Sequence, residues 1–381
     1  MGDDGFTEID DGHRVRVTRR AGPGELAEWD RFVEAVPLSD VTQLSGWSVV
    51  RAEVGFAPLH VFVHRSGDPV GGAQILARRI PAVGSLGYLS GGPLVAGDID
   101  DRAGVVRSLG SAMLALLGSQ LRALFVQPPA GADDVSVELA RRGFRPSHAG
   151  IAPAASLRID LGADVEELRA RLNKRLRAWT RRWPDKGVHV RVGGDDDLPL
   201  LAQLVARSAE FQRYEPLSLE YLRLMYRSLA PTGRAVLFVG EVHGQPVAVD
   251  LYTRCGGVLR DRLIGFDRNS EASKLSVPAA LKWYAMLWAK DHGMRWFDFG
   301  GIRPKTAEAL LAGRSLDQAS AGGSDFFKIS FGGEPFLMPP AVEDARPRRA
   351  LLVYDLAQRS ERGRALVSKL QRRLRGGGRS G

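Results

Sequence analysis

The residue with the clearest chemical potential in this chain is a lone lysine among aromatic residues and glycines. Lys328 lies in residues 324–334, where apolar and polar residues alternate as in a strand. An apolar run, residues 296–299, precedes it and ends on Gly300 and Gly301, which is typical of a buried strand that opens into a loop. Because an ammonium is costly to bury without a negative charge beside it, Lys328 is the first candidate for a functional charge.

A carboxylate lies within that apolar run, two residues before the first glycine. Asp298 can cap the backbone amides that follow it, since short acidic side chains readily accept hydrogen bonds from nearby N–H groups. It could also accept a proton from a nucleophile as a general base. We favour the cap and keep the proton acceptor as the alternative.

A second candidate for binding is a strongly basic segment. Residues 168–186 contain eight Lys or Arg together with Trp179 and Trp183. Cations neutralise nucleic-acid phosphates, and an indole can stack on an unpaired base. The apolar residues keep helical spacing, so we predict a helix over residues 164–182 with Trp179 in the core. Against the alternative of a solvated helix face, we predict that four cations contact RNA: Lys174, Arg175, Arg181 and Arg182.

Composition limits the classes of protein to which this chain can belong. Its 381 residues, 44% hydrophobic and 25% charged, are typical of a soluble protein of two domains. No apolar run is long enough to cross a bilayer, and five acidic residues among the first twenty argue against a secretory signal, so we expect a cytoplasmic protein. The single Cys255 excludes an intramolecular disulfide, and no nucleophile elbow, P-loop or zinc motif is present. We expect neither a metal nor a cofactor.

The net charge of +9 is concentrated at the C-terminal end. Residues 341–381 carry eleven Lys or Arg and four Asp or Glu, and an apolar stripe predicts a basic helix there. Such a tail favours a polyanion such as tRNA or an anionic membrane surface, and a solvated surface helix is the alternative. Residues 1–12 are polar and are expected to be disordered.

The elements that must position these residues form two similar series. In each half, the pattern predicts a hairpin, a glycine-rich break, a helix and a further strand, which indicates two copies of one α/β unit with mixed sheets. Hairpin turns are predicted at residues 64–69 and 243–246. Predicted elements include strands at 59–64, 70–79, 86–89, 123–127, 156–161, 235–242, 246–254, 258–265 and 295–299, and helices at 102–117, 198–212, 219–229 and 277–291. The expected divisions are a first domain over 13–160, a second over 161–340 and the tail over 341–381.

A series of short motifs runs along the chain: Gln43-x-Ser45-x-Trp47-x-x-x-Arg51, Gly71-Gly72, Arg78-Arg79-Ile80-Pro81, Tyr88-x-x-Gly91-Gly92-Pro93, residues 288–301 and Phe327-Lys328-x-x-Phe331-Gly332-Gly333. Their order and spacing, over about residues 25–340, resemble the FemABX family of transferases, which move an amino acid from aminoacyl-tRNA to an amine. The resemblance implies two tandem acetyltransferase-like (GNAT) domains, no metal, and an acceptor bound in a cleft of the first domain.

The resemblance also implies roles for individual residues. Lys328 would stabilise the negative oxygen of a tetrahedral intermediate, and Phe327 beside it would contact substrate. Arg51 would hold phosphate or carboxylate through paired hydrogen bonds, with an exposed helix arginine as the alternative. The glycines of the first-half turn would let backbone approach a ligand, with a structural turn as the alternative. The full acceptor set is Trp47, Arg51, Tyr88, Gly91, Gly92, Asp98, Arg213 and Tyr214.

The expected reaction is amide formation on an amine of a peptidoglycan precursor, nucleotide- or lipid-linked, or of a small natural product, with peripheral contact to the inner membrane face. The chain resembles the short members of the family, without a long helical hairpin, because a strand signal follows the basic helix at once. Two alternatives stay open. One is an acyl-CoA-dependent N-acyltransferase on the same fold, against which the missing pyrophosphate loop argues. The other is a nucleic-acid or anionic-membrane binding protein without catalysis.

Overall fold

The computed structural model describes residues 7–9, 12–81, 83–212, 216–268 and 270–347, and these form two compact units. The first unit comprises the described residues up to Ala154 together with those from Met338 onward, and the second comprises Ala155–Leu337. The predicted domain boundary at residue 160 is therefore displaced, because the strand that begins at Ala155 pairs within the sheet of the second unit. The predicted tail helix lies largely outside the described residues.

Helices and strands are interleaved along the described chain. The strands are β1 (Thr7–Ile9), β2 (His13–Thr18), β3 (Ala57–Arg65), β4 (Asp68–Ile80), β5 (Gly84–Ser90), β6 (Leu94–Val95), β7 (Ala123–Gln127), β8 (Arg145–Pro146), β9 (Ala155–Asp160), β10 (Val188–Val192), β11 (Ala235–Val242), β12 (Gln245–Cys255), β13 (Val258–Phe266), β14 (Trp296–Asp298), β15 (Glu334–Leu337) and β16 (Val342–Ala345). The α-helices are α1 (Pro23–Ala35), α2 (Ser45–Ala52), α3 (Arg102–Leu116), α4 (Asp133–Arg141), α5 (Val165–Arg171), α6 (Lys174–Arg182), α7 (Leu198–Gln212), α8 (Leu219–Leu229), α9 (Glu271–Lys274), α10 (Val277–Asp291), α11 (Pro304–Leu311), α12 (Gln318–Ala321) and α13 (Gly323–Ile329).

The first unit is built on a nine-stranded mixed sheet in the order β1-β2-β3-β4-β5-β7-β16-β8, with β6 paired to β4. Its neighbours are antiparallel apart from the parallel pair β5–β7. The β3–β4 hairpin turns through Ser66 and Gly67, both with positive φ, which confirms the predicted turn at 64–69. Leu109 and Met113 of α3 pack with Ile75 of β4 in the core of this unit.

Two predictions for the ends of the chain are wrong. Residues Thr7–Ile9, expected to be disordered, form β1 on the edge of β2. Val342–Ala345, expected in the basic tail, form β16 between β7 and β8. In both cases, pairing with a neighbouring strand satisfies backbone hydrogen bonds that the local composition alone does not predict.

The second unit is built on a seven-stranded mixed sheet in the order β10-β11-β12-β13-β14-β9-β15. Its one parallel pair among the described strands is β13–β14. Leu281 and Met286 of α10 are fully buried in a core with Phe238 and Phe297. Each unit thus carries a hairpin, a helix and a strand that returns in parallel, and the predicted pair of α/β units is confirmed.

The sheet of the second unit opens beside the end of β14. Strand β13 pairs with β14 over Val258–Arg260 and then continues to Phe266 without it. The β12–β13 ladder also carries a register shift between Leu251 and Tyr252. Bulges of this kind redirect side chains and are common next to functional sites. Asp261 is the first residue of β13 beyond the β14 pairing.

The predicted helix over 164–182 is interrupted. Leu172 is extended, and the Asn173 side chain accepts a hydrogen bond from Leu176 N at 2.8 Å, which caps a new helix, α6. The chain then enters β10, so α5 and α6 are short and no long helical hairpin separates them from the sheet. This agrees with the short form predicted from the sequence.

Lys328 lies on a helix, α13, and the predicted strand is wrong. Seven residues are too few to separate alternation from a helical period. The ring of Phe327 in α13 meets the ring of Phe331, two residues beyond the end of the helix, at 5.4 Å between centroids. The stretch from 300 to 323 also contains two short helices, α11 and α12.

Candidate active site

Asp298 ends β14 and organises the loop that follows. Its Oδ1 accepts hydrogen bonds from Gly300 N at 2.8 Å and from Ser156 Oγ at 2.5 Å, and its Oδ2 accepts from Arg158 Nε at 3.2 Å and Arg260 Nε at 3.4 Å. Burial raises the pKa of Asp298, but Arg260 and Arg158 outweigh burial and hold that pKa below its ordinary value. The favoured cap is therefore observed, and these four donors leave little acceptor capacity for a proton.

The loop after Asp298 needs its glycines. Gly300 has φ of +77° and Gly301 has φ of +122°. A methyl group at Gly300 would lie 2.5 Å from the carbonyl oxygen of Asp261. The loop therefore lies directly against the part of β13 that continues beyond its pairing with β14.

Lys328 reaches this loop from α13. Its Nζ donates a hydrogen bond to the Gly301 carbonyl oxygen at 2.5 Å, and its side chain is half-buried. Burial lowers the pKa of Lys328, and Asp261 opposes that shift. An ammonium has three N–H donors, so this lysine retains donors for a substrate oxygen.

Helix α13 is fixed in place by a carboxylate in its first turn. Asp325 accepts hydrogen bonds from Arg303 Nε at 2.8 Å and from Thr306 Oγ1 at 2.7 Å, at the start of α11. Phe327 packs at the edge of the core of the second unit through Phe331. Lys328 is thus held three residues from an anchored aspartate.

A buried charge network, which sequence reasoning missed, lies next to this loop. Lys282 Nζ donates to Asp250 Oδ2 and to Asp261 Oδ2, each at 2.6 Å, and Tyr252 OH donates to Asp250 Oδ2 at 2.5 Å. Asp250 Oδ1 is buried without a hydrogen-bond partner among the described residues. We call these four residues the Lys282 network.

Burial governs the protonation of the Lys282 network. It raises the pKa of Asp250 to about 8, against the opposing charge of Lys282. Burial lowers the pKa of Lys282, but Asp250 and Asp261 outweigh it, and the net shift is upward. A signal for this network exists in the sequence, because Lys282 and Asp250 are each the lone charge in a long apolar run, 277–289 and 246–253.

Three predicted acceptor residues come together in the first unit. Arg51 is buried on α2 and its guanidinium lies 4.7 Å from the centre of the Phe56 ring. Tyr88 meets Phe56 edge-on at 5.7 Å between centroids, and Trp47 packs against the same small cluster. We call Trp47, Arg51, Phe56 and Tyr88 the aromatic–arginine cluster. Helix α2 is held because Asp30 accepts from Ser45 N and Oγ, each at 2.7 Å.

The remaining acceptor candidates divide into three groups. Gly91 N donates to Gln127 O at 2.9 Å, and a methyl group at Gly92 would lie 2.9 Å from the Gln43 side chain, so close packing within the unit already accounts for this turn. Asp98 is exposed in a bend after β6. Arg213 and Tyr214 lie outside the described residues.

The four predicted RNA-binding cations are all exposed on α6, and none of them forms an ion pair within the described part of the chain. Other exposed arginines of the same unit are paired, such as Arg227 with Asp195 and Arg295 with Asp160. Trp183 is buried and donates to Leu275 O, and Trp179 packs on the core as predicted. The indoles therefore belong to the core, and α6 presents cations alone.

Comparisons with known proteins agree with this geometry. A family model described as an acetyltransferase (GNAT) domain matches residues 158–309. The lipid II:glycine glycyltransferase of Staphylococcus haemolyticus (strain JCSC1435) is 26% identical over 237 residues, which cover 59% of this chain and 56% of that protein. The protein of the same name from Staphylococcus aureus is 25% identical over 225 residues, which cover 56% of this chain and 52% of that protein. The chain thus spans little more than half the length of these curated relatives.

Solved structures share the fold. FemX superposes with a TM-score of 0.74 at 18% identity, over 86% of this chain and 98% of that one. L-PGS from Bacillus licheniformis gives a TM-score of 0.52 at 14% identity, over 89% and 96%.

The fold consists of two GNAT-like units, and the family model matches a GNAT domain within the second of them. The curated relatives are glycyltransferases of the FemABX type, and the resemblance predicted from the motifs is confirmed. Among the described residues, no helix has the length and apolar character needed to span a bilayer.

Proposed function

We propose that this protein transfers an amino acid from aminoacyl-tRNA to an amine acceptor and forms an amide bond. The observation that carries the proposal is the half-buried Lys328 ammonium at the Gly300–Gly301 loop, within the unit that contains the GNAT match. Homologues named for glycyl transfer to lipid II support a lipid-linked peptidoglycan precursor as acceptor. A nucleotide-linked precursor or a natural-product amine fits the same chemistry.

In the proposed reaction, the acceptor amine attacks the ester carbonyl carbon of the aminoacyl group. A carbon–nitrogen bond forms, the ester carbon–oxygen bond breaks, and the proton lost by the amine ends on the departing ribose hydroxyl. The carbonyl oxygen becomes negative in the intermediate. The role of Lys328 is to stabilise that oxygen, a contribution on the order of 3 kcal/mol for one well-placed donor. Asp298 serves mainly to shape the loop.

The aromatic–arginine cluster is the proposed acceptor site. A guanidinium binds phosphate or carboxylate through two parallel hydrogen bonds, and Arg51 supplies one beside an apolar surface. Trp47 and Tyr88 provide that surface, with Gly91, Gly92 and Asp98 as further proposed contacts. Arg213 and Tyr214 remain proposed partners from their motif.

The donor tRNA is proposed to contact the exposed cations of α6. Lys174, Arg175, Arg181 and Arg182 place four positive charges on one helix without acidic partners in the described chain. Phosphate neutralisation by such charges is independent of base sequence. The basic tail could add to this contact or hold the protein at the inner membrane face, where a lipid-linked acceptor resides.

The donor decides between the candidate functions. The purified chain should transfer radiolabel to an amine acceptor from tRNA charged with labelled amino acids, and ribonuclease treatment of the donor should abolish the transfer. Labelled acetyl-CoA is the competing donor, and transfer from it alone would support an acyl-CoA-dependent enzyme instead. Binding of tRNA with no transfer from either donor, over a panel of peptidoglycan-precursor amines, would support a non-catalytic binding protein.

A further inference from the structure

The two-glycine loop of the second unit is flanked by charges of both signs. Lys328 Nζ donates to the carbonyl of Gly301. The backbone of Gly300 lies against the backbone carbonyl of Asp261, so closely that a methyl group would be 2.5 Å from that oxygen. A carboxylate-bearing residue and an ammonium therefore border the same two residues.

Asp261 is the accessible end of the Lys282 network. Its side chain is 10% exposed, whereas that of Asp250 is 0% exposed. One oxygen of Asp261 accepts from Lys282, and the other has no hydrogen-bond partner among the described residues. That second oxygen reaches solvent, so an N–H group of a ligand can donate to it while Lys282 keeps its own hydrogen bond to the carboxylate.

Lys282 fixes the position of this carboxylate. Its ammonium is held between two aspartates at 2.6 Å each, and Tyr252 locks the inner aspartate in turn. Because α10 buries Lys282 in the core, rotation of Asp261 would take one of its two carboxylate partners from a buried cation. The open oxygen of Asp261 is thus preorganised.

We infer that Asp261 binds the α-ammonium of the aminoacyl group on the donor. This inference rests on the proposed function and deepens it by naming the donor chemistry that the site selects. In an aminoacyl ester, the α-nitrogen is two bonds from the carbonyl carbon, so a cation-binding carboxylate has to lie near the group that stabilises the carbonyl oxygen. Asp261 and Lys328 meet that requirement across the Gly300–Gly301 loop. Acyl groups without an α-amine, such as acetyl, lack the matching donor.

The test compares two donors that differ in one group. A tRNA pool charged with mixed amino acids is divided, and one half is deaminated with nitrous acid, which replaces each α-amine by a hydroxyl of similar size. We expect the native chain to use the untreated pool about ten- to hundredfold faster, the range expected for loss of one hydrogen bond to a charged group. For Asp261→Asn, the ratio of the two rates should fall to near one.

Controls separate this inference from its alternatives. Asp196→Asn, an exposed change in the same unit, should keep the ratio of the native chain. Equal use of both pools by the native chain overturns the inference and leaves the proposed function standing, and this arm needs no variant to fold. If Asp261→Asn lowered the transfer rate equally for both pools and shifted the pH–rate profile, Asp261 would instead be assigned to proton transfer. That result would overturn the inference. No transfer from the untreated pool overturns the proposed function as well.

Discussion

Lys328 Nζ lies 2.5 Å from the carbonyl oxygen of Gly301, although the two residues belong to different elements and are separated by α11 and α12. This hydrogen bond joins the C-terminal turn of a short helix to the loop that ends β14. It holds a half-buried ammonium beside backbone of positive φ. The sequence motif and the geometry thus converge on one charge.

Replacing Gly300 should disturb the site more than an equivalent glycine elsewhere. Gly300→Ala places a methyl group 2.5 Å from the Asp261 carbonyl at φ +77°, whereas Gly313→Ala, at φ +71°, meets no atom within 4 Å. The control should lose about 1 kcal/mol of unfolding free energy through its backbone conformation alone. Gly300→Ala should lose clearly more unfolding free energy than the control and should also lower kcat. Denaturant unfolding checks both, and equal losses would contradict the close contact.

Neutralising α6 should weaken tRNA binding through charge alone. We expect the change of Lys174, Arg175, Arg181 and Arg182 to Gln to lower the slope of log affinity against log salt by about 0.7 to 0.9 per lost phosphate contact. Filter binding over a salt series measures this slope. The matched control removes the same charge from exposed arginines that are paired with acids: Arg191, Arg207, Arg227 and Arg295. If both sets of changes lowered the slope equally, α6 would act on tRNA only through the net charge of the protein, and the proposed contact would be contradicted.

Arg51 should govern acceptor affinity. Arg51→Met keeps an apolar side chain against Phe56 but removes the guanidinium, so KM for an anionic acceptor should rise about tenfold or more while kcat changes little. Arg79→Met, an exposed change on β4, is the control. Unchanged KM in Arg51→Met, measured by initial rates over acceptor concentration, would remove Arg51 from the acceptor site.

The Lys282 network should make stability depend on pH. The pKa of Asp250 is raised from 3.8 to about 8 in the folded chain. Between these values, the folded state keeps a proton that the unfolded state has released, so this carboxyl lowers the free energy of unfolding as pH rises from about 4 to about 8. Asp298 has a lowered pKa and acts in the opposite sense, with its stabilisation lost as pH falls below 3.8.

The variant Asp250→Asn isolates the first effect. Asn cannot titrate, so the unfolding free energy of the variant should rise relative to that of the native chain as pH increases from 4 to 8. Urea unfolding at a series of pH values measures the difference, and Asp196→Asn should follow the native curve throughout. A constant difference between Asp250→Asn and the native chain would show that Asp250 is ionised over the whole range.

Elements bounded by clear turn residues could be predicted from sequence, and elements whose conformation depends on tertiary contacts could not. Strand β7 and helix α10 match their predicted bounds because each is an apolar run bounded by turn residues. The strand predicted around Lys328 was wrong because the seven residues of α13 take their conformation from tertiary contacts, above all the contact of Asp325 with Arg303. Asp261 was missed because its pairing with Lys282 depends on the register and bulge of β13, which no local pattern encodes.

The most direct test of the account removes the Lys328 ammonium while leaving its helix intact. Lys328→Met should lower kcat for transfer from charged tRNA by about a hundredfold or more, with tRNA affinity unchanged. Lys305→Met, an exposed change on the adjacent α11, should retain full activity. If Lys328→Met turned over at the rate of the native chain, the proposed stabilisation of the intermediate by this charge would be contradicted.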